Sequence, residues 1–172
     1  MALEIEDGSG KSNAQCYISA SDCGTYLTSM GHADFAAAST TVQEAALLRA
    51  MRYLEGNYRL RWCGQKASSD QRLSWPRSGV TDEDGYAVDD DEIPEILKNA
   101  LCEAAYREFL TTDTMDADLE RGGQIKFEKI GPIQTEYQDD ARGDTSYPTI
   151  EKMLAPYLAS GSNSISVPVV RT

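Results

Sequence analysis

Four apolar stripes at helical spacing, each opened by its own start signal, constrain this chain more than any other feature. Ser19 with Asp22 three residues on makes a capping box, and Cys23, Tyr26, Leu27 and Met30 follow on one face before Gly31 stops the run. Thr41 with Glu44 makes a second box, and Leu47, Met51, Leu54 and Tyr58 mark its stripe. Gly56 leaves that helix able to end early or to run toward Trp62. Pro94 suits the first turn of a third helix, with Ile96, Leu97, Ala100, Leu101, Ala104 and Ala105 as a broad apolar face. Glu103 and Arg107 support it as an i,i+4 pair. Pro148 opens the last stripe, Ile150, Met153, Leu154, Tyr157 and Leu158, which Pro156 should kink or end. These patterns predict helices near 19–30, 42–58, 94–110 and 148–158.

The period changes between the third and fourth stripes. Ile125, Lys126, Phe127 and Glu128 alternate, Gly131-Pro132 marks a turn, and alternation resumes from Ile133. This reads as a β-hairpin near 124–138 whose register stays open, because both turn placements leave mixed faces. Residues 63–93 look irregular, broken by Gly64, Pro76, Gly79 and Gly85, with a short helical turn around Asp70–Ser74. Residues 1–14 read as an arm, with Leu3 and Ile5 as a short edge strand, and 159–172 as an extended tail. The expected fold is mainly α. It is a small helical bundle over 15–158 with one β-hairpin and an extended N-terminal arm and C-terminal tail.

With 41% of its 172 residues hydrophobic, the chain can build a core. Its 28 acidic against 16 basic residues, a net charge of -12, argue against a whole-surface nucleic-acid binder. No apolar run approaches the ~18 residues of a membrane span, and the acidic start is not a signal peptide. Cys16, Cys23, Cys63, Cys102 and the single His32 lack zinc-ligand spacing, and the cysteines read as reduced thiols of a cytosolic protein. Gly10-Lys11-Ser12 resembles the end of a phosphate-binding loop, but Ile5 stands where its first Gly is required. An EF-hand over the acidic stretch would put Val80 at its first ligand position. No triad, metal site or cofactor fingerprint remains, so no enzyme, metal or cofactor is expected.

One asymmetry is informative. Arg49, Arg52, Arg59, Arg61, Lys66, Arg72 and Arg77 crowd residues 49–77, interleaved with Trp62 and Trp75. The following stretch, 82–95, carries Asp82, Glu83, Asp84, Asp89, Asp90, Asp91, Glu92 and Glu95 and no base. Three readings stay open. The basic face can meet the acidic stretch of a neighbouring copy, as in a ring, with Arg and Trp as anchors. It can pair within the chain. It can also bind single-stranded nucleic acid by charge and stacking. We rank them in that order.

Several phrases together resemble a known family: ALEIEDG at 2–8, Tyr17-Ile18-Ser19, AMRYLEGNY ending at Tyr58, and SWPRSGVTDEDG at 74–85. Arg121-Gly122-Gly123, Lys129-Ile130-Gly131-Pro132, Glu136-Tyr137 and Tyr147-Pro148 complete the set. Over residues 2–158 the chain resembles the tailed-phage family often labelled "putative DnaT-like single-stranded DNA-binding protein", and it is similar to head–tail connector (adaptor) proteins. The resemblance implies a mostly helical fold with a hairpin and a homo-oligomeric, twelve-fold ring beneath the portal protein. Genome DNA would pass through its hole without specific contacts, and a downstream neck or tail protein would dock beyond it. The location implied is the virion neck, after assembly in the host cytoplasm. The label itself implies single-stranded DNA binding.

A conduit must let DNA slide, so an acidic wall favours the connector reading over the strand binder. On that reading Arg49, Arg52, Arg59, Arg61, Trp62, Arg72, Trp75 and Arg77 form the basic side of the subunit interface. Asp82, Asp84, Asp89, Asp90 and Asp91 form the acidic side. Tyr157, Leu158, Ile165, Val167 and Val169 are the candidates for docking on the portal, because the tail can add to a partner's sheet edge.

Overall fold

The structure, a computed structural model, describes residues 3–115, 127–130, 133–136 and 147–159. The architecture is mainly helical, as the periodicity predicts. Helix α1 spans Ala20–Ser29, α2 Ala33–Ala37, α3 Thr40–Tyr58, α4 Glu95–Leu110 and α5 Pro148–Leu154. A 3-10 turn, Ala155–Tyr157, follows α5 because Pro156 has no N–H to continue the ladder. The long helices α3 and α4 pack along each other, with α1 and α5 laid against α4. Leu47, Leu54, Leu97, Leu101, Ile150 and Leu154 are fully buried between them. Each such side chain contributes about 1.5–3 kcal/mol from leaving water.

Helix starts hold in one case and shift in another. Ser19 caps α1, its hydroxyl accepting the Asp22 N–H at 3.1 Å. Helix α3 begins at Thr40, ahead of the Thr41–Glu44 box. Ser39 is the N-cap there, extended at φ -66° and ψ 146°, and no side chain caps it. The amides of Val42 and Gln43 turn to the Ser39 carbonyl instead. Helix α2 had no sequence signal, since Phe35 is its one buried side chain among alanines and exposed Asp34. Phe35 packs edge-on against Phe109 of α4, and the Gln43 amide donates to the carbonyls of Phe35 and Ala36. Two stripe residues face solvent: Met30, the C-cap of α1, and Ile96 in the first turn of α4.

The region 63–93 is irregular, with one addition. Strands β1 (Gln65–Lys66) and β2 (Arg77–Ser78) pair antiparallel, Gln65 opposite Ser78. No helical turn forms at 70–74. The buried Gln71 side chain supplies the bonds a helix would have made, donating to the Leu73 and Pro76 carbonyls and accepting from the Ser68 N–H. The expected hairpin is present as β3 (Phe127–Ile130) and β4 (Ile133–Glu136). Its register is now fixed, with Phe127 opposite Glu136 and Ile130 opposite Ile133.

The N-terminal segment makes a single parallel bridge, Ile5 with Cys16, rather than a longer strand. It is tied down by Glu6, which is only 2% exposed. The Glu6 carboxylate accepts the N–H groups of Gly8, Gly10 and Lys11 at 3.0, 2.8 and 2.8 Å. Gly8, at φ +101°, lies so close to the Asp91 backbone that no Cβ would fit.

Candidate functional site

The 49–77 segment divides into an inward half and an outward half. The inward half centres on Glu55 of α3. Its carboxylate accepts the Tyr17 hydroxyl at 2.7 Å, the Ser74 N–H at 3.0 Å and the Ser74 hydroxyl at 2.7 Å. The Tyr17 oxygen in turn accepts the Trp75 N–H at 3.2 Å. Arg77 donates to the carbonyls of Cys63, Gly64 and Ser74 at 2.6, 2.8 and 3.1 Å. Burial pulls the Arg77 pKa down and pushes the Tyr17 phenol well up, the latter reinforced by the Glu55 charge.

Both tryptophans lie inside this region. Trp75 is 0% and Trp62 6% exposed. They belong to a continuous aromatic chain: Tyr157 meets Trp75 at 5.6 Å, Trp75 meets Trp62 at 5.9 Å, and Trp62 meets Tyr58 at 5.9 Å. Tyr53 extends it from Tyr58 to Tyr147. Trp62, Trp75 and Arg77, expected on the basic side of a subunit interface, are all buried in their own subunit.

Arg49 and Arg52 are also committed within the chain, but not to 82–95. Arg49 Nε meets the buried Glu108 carboxylate at 3.0 Å, and Arg52 meets Asp113 at 2.9 Å. Glu108 also accepts the amides of Asp113 and Met115, closing the loop after α4. Glu108 reads from sequence as a surface acid of a helix, so its role carried no signal.

The outward half is smaller. Arg59, Arg61 and Arg72 are exposed, and Leu60 is 95% exposed between the first two. The acidic stretch begins with a built loop. Asp82 Oδ1 accepts the amides of Asp84 and Tyr86, Thr81 bridges Ala87, and Tyr86 stands 72% exposed. Asp84, Asp89, Asp90 and Asp91 face solvent. Among the described residues, no base of 49–77 forms an ion pair with 82–95.

Of the portal-docking candidates, Tyr157 and Leu158 are half-buried in their own subunit, Tyr157 against Trp75 and Leu158 bridging Trp62. Ile165, Val167 and Val169 lie outside the described residues. The phosphate-loop resemblance at Gly10-Lys11-Ser12 has a physical basis, since its amides do converge on an anion. That anion is the chain's own Glu6 carboxylate, so the cradle is filled from within.

All four cysteines are free, and burial pushes the Cys16 thiol up to about 12. His32 stacks on Tyr106 at 4.0 Å. Among the described residues no cluster of His, Cys, Asp or Glu has metal-binding geometry, and no helix is long and apolar enough to cross a membrane.

The model of the family described as "Putative DnaT-like ssDNA binding protein" matches residues 1–172. The chain belongs to that family. No curated protein and no solved structure matches it. The match takes in the tail 159–172, beyond the span of the recognised phrases. In this DnaT-like family member those phrases meet in space. Tyr17 from the second, Glu55 from the third and Ser74, Trp75 and Arg77 from the fourth are the hydrogen-bonded hub. The description names single-stranded DNA binding; it does not name a head–tail connector.

Proposed function

We propose that this chain is a structural, non-catalytic virion protein. It is a head–tail connector subunit, forming a twelve-fold ring beneath the portal and linking it to a downstream neck or tail protein. The observation that carries this reading is the inward commitment of the residues a strand binder needs. Both indoles are core, and Arg49 and Arg77 are spent on internal partners. What remains outside is an overall acidic surface with isolated apolar side chains, suited to protein contacts and to DNA sliding past. The tail, which the family match includes, is the segment we assign to portal docking. Electron microscopy of the particle neck tests the reading: a ring of this chain between portal and tail is expected, and a neck without it refutes the proposal.

The second reading is single-stranded DNA binding, and the family description favours it over the first. It requires phosphate contacts from the remaining exposed bases, with Arg59, Arg61 and Arg72 as the available set in 49–77. A mobility-shift titration near physiological salt separates the two. Micromolar or tighter affinity falling steeply with salt would establish the second.

A further inference from the structure

We infer that the turn after α3, where Leu60 stands between Arg59 and Arg61, is the contact by which one copy of this chain holds the acidic loop of a second copy. The inference rests on the homo-oligomeric part of the proposed function and replaces its interface residues with those the fold leaves outside. Leu60 is 95% exposed, the most exposed large apolar side chain among the described residues. None of the described residues covers it. One helical turn earlier, Gly56 sits in α3 with nothing within 4 Å of where a Cβ would stand. Glycine weakens a helix interior, and no neighbour among the described residues requires it here. An empty site beside an uncovered leucine suits close approach by another molecule.

The charge around this point identifies that molecule. Arg59 and Arg61 flank Leu60, and the Arg61 guanidinium lies 5.1 Å from the Tyr58 ring centre, which holds it near the surface of α3. The matching surface is acidic with an exposed apolar group at its centre. The chain itself carries one: Tyr86, 72% exposed, stands on the loop built by the Asp82 carboxylate, beside Glu83 and Asp84. That loop is held by its own turn bonds, so it is preformed for docking. Since the two surfaces differ, the contact is heterologous and repeats from copy to copy, closing into a ring where the rotation permits.

Sedimentation velocity of the full chain over a concentration series is the test. Three variants sit on exposed residues: Leu60→Asp, Arg59→Glu with Arg61→Glu, and Glu83→Lys with Asp84→Lys. Each should weaken self-association at least about tenfold, the scale of one lost interface contact. Thermal unfolding should stay at the wild-type midpoint. Mixing the two charge-reversed proteins should restore association, because each then supplies the complementary half. Self-association unchanged in all three variants, no recovery on mixing, or a wild-type chain that stays monomeric throughout would overturn the inference. A particle neck lacking this chain would refute the connector reading while leaving this contact standing.

Discussion

Trp75 and Leu60 lie fifteen positions apart in one basic segment, yet the fold uses them in opposite ways. Trp75 is fully buried, its amide held by Tyr17, its carbonyl neighbours clamped by Arg77 and its ring wedged between Trp62 and Tyr157. Leu60 is almost wholly in water between two arginines. The comparison teaches that residue type did not decide the assignment. An aromatic or an arginine in a basic run looks like a contact residue. Here the large apolar surfaces and the best hydrogen-bond donors were drawn inward to order a loop whose regular structure is limited to the two-residue strands β1 and β2. Such a loop leaves many backbone groups in need of partners, and Arg77, Gln71 and Glu55 supply them.

Breaking the inner half should have the largest effect. Trp75→Ala is expected to destabilise the chain by about 3–5 kcal/mol in denaturant unfolding, through loss of buried area and the cavity left behind. Arg77→Met should cost about 2–3 kcal/mol, because the carbonyls of Cys63, Gly64 and Ser74 lose their donor. Tyr17→Phe should cost about 1–3 kcal/mol, since the Trp75 amide and the Glu55 carboxylate each lose a partner.

The same tyrosine gives the inner region a pH signature. Its folded pKa is raised, so the folded state keeps the phenol proton that the unfolded chain releases. Stability is therefore intact below the ordinary phenol pKa near 10 and declines as pH rises above it. Tyr17→Phe should make that alkaline decline shallower in a pH series of melts, the remainder coming from other buried phenols such as Tyr53 and Tyr58. At the outer pole, Leu60→Asp should shift unfolding by less than about 0.5 kcal/mol, because no packing is lost.

Much of the fold was legible because helices announce themselves. Apolar spacing with a Ser cap at α1 or a proline at α4 and α5 is local information. The start of α3 was not, since Ser39, Gln43 and the short α2 settle it together through contacts eight residues apart. The site was less legible for the same reason. Tyr17, Glu55 and Ser74 are far apart in sequence, and nothing local says that one carboxylate joins them. The phrases that carry the family resemblance include those three residues, but periodicity could not read the network that joins them. Glu6 is a parallel case: Gly10-Lys11-Ser12 resembled the end of a phosphate loop without its first Gly, and only the folded chain reveals that the amides of Gly10 and Lys11 hold the chain's own carboxylate.

The division of the basic segment is tested most directly by its two tryptophans, the only ones in the chain. Their fluorescence should be blue-shifted, as for buried indoles, and should stay unchanged when single-stranded DNA is titrated in near physiological salt. Saturable quenching by the DNA that weakens steeply as salt rises would mean that bases stack on Trp62 or Trp75, and would contradict the account.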